Sequence, residues 1–77
     1  MNFNISNEEK ITITKNAINI LNQNAYSIIV SAGQNPDTFI LGEISDENTP
    51  EINSLYEQIS AINTKILNLN TLIESLT

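Results

Sequence analysis

An unbroken alternation of three- and four-residue steps links Ile52, Leu55, Ile59, Ile62, Ile66, Leu69, Ile73 and Leu76. This is a heptad seam: Ile52, Ile59, Ile66 and Ile73 take the a positions, and Leu55, Ile62, Leu69 and Leu76 the d positions. An ordinary globular helix seldom keeps so strict a register over more than three heptads. The start of the helix is marked too. Thr49 is a natural N-cap, Pro50 suits the first turn, and Glu51 places a carboxylate near the positive end of the helix dipole. At about 1.5 Å per residue, the segment 50–76 forms a rod about 40 Å long. A rod of that length with one apolar stripe must lie against something.

Chain length sharpens that requirement. Seventy-seven residues hold one domain, and a domain so small buries too little apolar surface to be comfortably stable without help. Help usually comes from disulfides, a bound metal or a partner chain. The chain has no cysteine, which removes the first route, and no histidine, which leaves a metal only oxygen ligands. Oligomerisation is the route that remains.

Two readings compete for the first half. Ser6 and Glu9 form a capping box, followed by Ile11, Ile18, Leu21, Ala25, Ile28 and Ala32 on roughly one helical face. Gly33 then supplies a stop, with Pro36 three residues on, which predicts a helix over about 7–32. On that reading Ile13, Ala17, Ile20, Ile29 and Val30 lie off the main stripe, so the helix would be covered on more than one side, as in a multi-helix assembly. The competing reading is α+β. The stretches at 11–14 and 26–31 are β-branched and strand-prone, and the second could pair with 38–44 as a β-hairpin at about 26–44. The fold class expected is mainly α: two long helices joined by an irregular linker, the second a heptad coiled-coil element.

The linker at 33–49 contains an Asn35-Pro36-Asp37 turn, an apolar island at Phe39, Ile40 and Leu41, and an acidic stretch from Glu43 to Glu47. It is longer than a tight helical hairpin needs. The island is expected to fold back as a cap on the helices, with docking to another protein as the sharper alternative. The chain thus divides into an N-terminal helix and linker at 1–49, a candidate docking region, and an oligomerisation helix at 50–77.

Chemistry is hard to assemble here. Without His, Cys or Arg, no conventional triad, thiolate nucleophile or arginine phosphate clamp is available. Gly33 and Gly42 are the only glycines and open no phosphate-binding loop. Asp37, Glu43, Asp46, Glu47 and Glu51 cluster in and beside the linker, but 46–51 lacks the glycine of a calcium-binding loop, so they read as a solvated acidic loop. No catalytic residue, metal or cofactor is expected. Three lysines against nine carboxylates leave a net charge of −6, a poor surface for nucleic acid. No apolar run approaches the roughly 18 residues of a membrane span, and the opening Met1-Asn2-Phe3-Asn4-Ile5 lacks a basic region before an apolar core. A soluble protein made in the cytoplasm is expected. Asn and Ile make up about a third of the chain. Both have A/T-rich codons, so we read this as genome composition, common among phages and AT-rich bacteria, rather than as special Asn chemistry.

The seam therefore carries the functional expectation. Ile at a with Leu at d favours two parallel strands, and Ile62 at a d position shifts the balance somewhat toward three. An intramolecular helical hairpin is the plainer use of the same stripe. Gln58, Asn63, Lys65 and Asn70 on the flanks form few interhelical ion pairs, while Tyr56, Leu67 and Leu72 widen the apolar surface. The expectation is a non-enzymatic homo-oligomer, dimeric, trimeric or higher, serving as a structural or assembly protein such as a minor phage virion component. The rival is a small regulatory or inhibitory module that binds one host or phage protein through the same face.

Overall fold

The computed structural model describes residues 3–77; Met1 and Asn2, the first two residues of the 1–49 segment, lie outside the described residues. The fold is mainly α. Helix α1 (Asn7–Ser31) and helix α2 (Pro50–Leu76) are joined by a linker over 32–49, and no strand occurs among the described residues.

Each helix begins as its cap residues dictate. The Glu9 backbone N–H donates to Ser6 Oγ (3.1 Å), and the Ile52 N–H donates to Thr49 Oγ1 (3.2 Å), with Pro50 at the start of α2. Each hydroxyl satisfies one of the amides that a helix N-terminus leaves without an internal acceptor. The C-terminus of α1 is a Schellman motif. Gly33 adopts φ +80°, its N–H donates to Val30 O (2.9 Å), and the Gln34 N–H donates to Ile29 O (3.1 Å).

The alternative of a β-hairpin at 26–44 is thereby overturned. Tyr26 to Ser31 form the last turns of α1 despite their β-branched residues, and 38–44 is irregular. The physical reason is packing: in a helix Ala25, Ile28 and Ile29 fall on one face, where they meet Leu55 and Ile59. A strand would have sent Ile28 and Ile29 to opposite sides.

The helices run antiparallel. Thr14 shares a groove with Leu72 and Leu76 at one end, while Ile28 shares one with Leu55 at the other. The result is a hairpin measuring 49 × 21 × 19 Å, closed by the linker at one end and open at the other. Its core lies toward the closed end, where Ile29, Leu55 and Ile59 are buried and Ala25, Ile28 and Phe39 pack against them. Leu55, only 2% exposed, is the most enclosed of these. Farther along, buried Thr14 stands on the α2-facing side of α1, and its Oγ1 donates to Lys10 O (2.7 Å). The hydroxyl is thus satisfied without a partner from α2.

Candidate oligomer interface

The heptad stripe of α2 is turned toward α1 of the same chain. Leu55 and Ile59 are buried, whereas Ile52, Ile62, Ile66, Leu69, Ile73 and Leu76 are half-buried. One helix alone is too narrow to cover a stripe of alternating a and d residues together with its flanks, so the seam retains accessible apolar surface along most of its length.

The linker covers one side of the hairpin near its closed end. Phe39 turns inward, half-buried against the core, and its ring meets that of Tyr56 at 6.1 Å between centroids with a 52° tilt. Gly42 lets the linker backbone pass close beneath Tyr56, since a Cβ there would stand 2.9 Å from the ring. The expected island therefore divides. Phe39 is a packing residue, while Ile40, at 81% exposure, and Leu41 face outward.

Asn53, in the first turns of α2, clasps the linker. Its Nδ2 donates to Ser45 O (2.9 Å), and its Oδ1 accepts from the Ser45 N–H (3.1 Å) and from Asn48 Nδ2 (3.0 Å). Asn48 Nδ2 also donates to Glu43 O (2.8 Å), and the Ser45 hydroxyl accepts from the Glu47 N–H (3.2 Å). A primary amide presents a donor and an acceptor side by side, as a neighbouring strand would, so it holds both backbone groups of Ser45. Asn53 and Asn48 thus hold the linker in place, whatever the origin of the chain's many asparagines. The sequence marks neither Asn53 and Asn48 as a clasp nor the close approach of Gly42 to Tyr56, a residue read there only as part of the apolar surface. The one local signal is the place of Asn53, four residues after the Thr49 cap, where its side chain can reach back toward the preceding loop.

Two flanks remain. At the open end, a groove of about 350 Å³ is lined by Phe3, Ile5, Ile13, Leu72 and Leu76, together with Lys10 and Thr14. On the linker side, a groove of about 310 Å³ mixes Phe39, Leu41, Ile62 and Ile66 with Asn22 and Asn63. Among the described residues, no three carboxylates come together in a group able to hold a metal ion. Nor is any helix among them long and apolar enough to cross a membrane. The arrangement offers apolar surface for association.

The architecture defines an antiparallel helical hairpin with an incompletely covered core. Comparison with known proteins finds no matching family model, curated protein or solved structure.

Proposed function

We propose that this chain is a non-enzymatic assembly protein that self-associates through helical surface, with the coiled-coil-like seam of α2 at the heart of each subunit. The observation that carries the reading is the imbalance of burial. Among the described residues three hydrophobic side chains are buried, while eleven large ones are exposed. A folded monomer of 8.5 kDa is expected to expose about 4,700 Å² and to have a radius of gyration near 11–12 Å. This hairpin exposes 5865 Å², with a radius of gyration of 15.6 Å. The excess, on the order of 1,000 Å², is comparable to the roughly 800 Å² that each partner contributes to a standard protein–protein interface.

The small size and the Asn- and Ile-rich composition fit a minor component of a phage virion, made in the cytoplasm and then incorporated. The linker ridge of Ile40, Leu41 and Ile44, exposed and outside both helices, favours a second reading as a regulatory module that docks on one target protein. Solution mass separates the two. Light scattering at micromolar concentration should return a multiple of 8.5 kDa for the assembly protein. A stable, helical monomer at that concentration would contradict self-assembly and support the regulatory reading.

A further inference from the structure

Ile13, Ala17 and Ile20 follow one line along α1, and Ile13 and Ile20 are each more than half exposed. Gln58, Lys65 and Leu72, spaced by seven, follow one line along α2. Both lines border the same face of the hairpin. Ile13 and Leu72 share the open-end groove, and Ser27 and Gln58 share another near the closed end. The linker leaves this face bare because it crosses the opposite side, where Leu41 lines one groove with Asn22 and Asn63.

We propose that two copies of the closed hairpin dock through this face with their long axes antiparallel, completing a four-helix bundle. The inference rests on the self-associating reading above and assigns its surface, partner and stoichiometry. Charge distribution argues for a second copy. Two chains of net charge −6 repel unless the contact avoids their carboxylates, and among the described residues α1 has none beyond Glu9. From Gln58 to Leu72 the α2 line carries one charge, Lys65, and Glu51 stands on it one heptad earlier, at the closed end. The carboxylates of Asp37, Glu43, Asp46, Glu47 and Glu51 lie on the linker and at the start of α2, which together form the closed end, while Glu57 and Glu74 stand off the α2 line. Antiparallel docking sets those two ends apart by nearly the hairpin length of 49 Å, several times the roughly 8 Å screening length at physiological salt.

A partner selected for basic charge would seek that acidic end rather than this face. The polar groups on the face, Asn16, Asn24, Ser27 and Gln58, each donate and accept hydrogen bonds, so the same patch is complementary to itself across a twofold axis. The Asn53 clasp and the Phe39–Tyr56 contact tie the linker to α2, and Phe39 also packs on the core that Ile29 of α1 shares with Leu55 and Ile59, which favours docking of closed subunits over exchange of helices between them.

Sedimentation equilibrium of the full chain and two charge-matched variants tests the assignment. Ile20→Glu lies on the proposed face and Leu67→Glu on the opposite flank, at similar exposures of 56% and 58%. The wild-type chain and L67E should be dimers. I20E should stay helical with its dimer Kd raised about 100-fold or more, because each dimer loses two buried side chains and gains two buried charges. Association of I20E equal to wild type would overturn this face while leaving self-assembly intact, as would a trimer. A monomeric wild-type chain would overturn both readings. Should I20E lose its helicity, Ile20→Asn keeps the face uncharged and should raise Kd at least about tenfold; no change would overturn the proposal. Spin labels on Asp46→Cys, in a chain with no other cysteine, should report separations near 49 Å. Separations under half that length would overturn the antiparallel arrangement.

Discussion

Single side chains set where this hairpin folds and closes, and those with a local sequence signature were the readable ones. Ser6, Thr49 and Pro50 announce helix starts by their chemistry, and Gly33 announces a stop because it alone accepts φ +80° without strain. Asn53 carries no comparable mark. Its task is to grip Ser45, eight residues back, and its neighbours on the helix reveal nothing of that partner. Replacing Asn53 with Ala leaves a backbone donor and an acceptor of Ser45 without their partners in a partly buried site. Since water reaches part of the site, the cost should be about 1–2 kcal/mol rather than the full penalty of a buried orphan. Urea denaturation should show a lower midpoint with an unchanged slope. A loss below about 0.3 kcal/mol would mean that the clasp is decorative.

At the scale of elements, α2 was legible because its apolar period, cap and proline agree. In α1 the signals conflict. The β-branched 26–31 stretch is strand-prone, yet it is helical because Ile28 and Ile29 are needed together on the face that meets Leu55 and Ile59. Tertiary packing outweighs a propensity scale spanning about 1 kcal/mol in strands and less among ordinary residues in helices. The fold of the linker was unreadable for a related reason. Gly42 beneath Tyr56 and Phe39 beside it are contacts between distant positions, with no period to reveal them. The seam itself is tested by a matched pair on α2. Ile66 is half-buried on the α1-facing stripe, and Asn63 is exposed one turn earlier. Ile66→Asp forfeits roughly 1.5–3 kcal/mol of side-chain burial, discounted for its partial exposure, and sets a carboxylate in an apolar layer. Asn63→Asp keeps its charge in water and should cost less than about 0.5 kcal/mol. Circular dichroism during thermal unfolding should separate the two clearly. Equal losses would argue that the heptad register does not define the packed face.

For the whole molecule, the decisive fact is that an 8.5-kDa chain folds into a long hairpin rather than a compact body, leaving large apolar side chains on its surface. Exposed hydrophobic residues are ordinary when scattered singly, but here Phe3, Ile5, Ile13 and Leu72 converge on one groove. Nothing in the residue inventory supplies another brace, since the chain has neither Cys nor His. If folding is completed by association, as proposed above, linkage gives it a signature that needs no variant. A chain stabilised by its own partner melts at a temperature that rises with protein concentration, because mass action favours the associated folded state. The direct measurement is therefore the melting temperature followed by circular dichroism across a hundredfold range of micromolar concentrations. A rise of roughly 5 °C or more over that range is expected for an associating chain of this size. A melting temperature independent of concentration across the whole range would contradict that proposal.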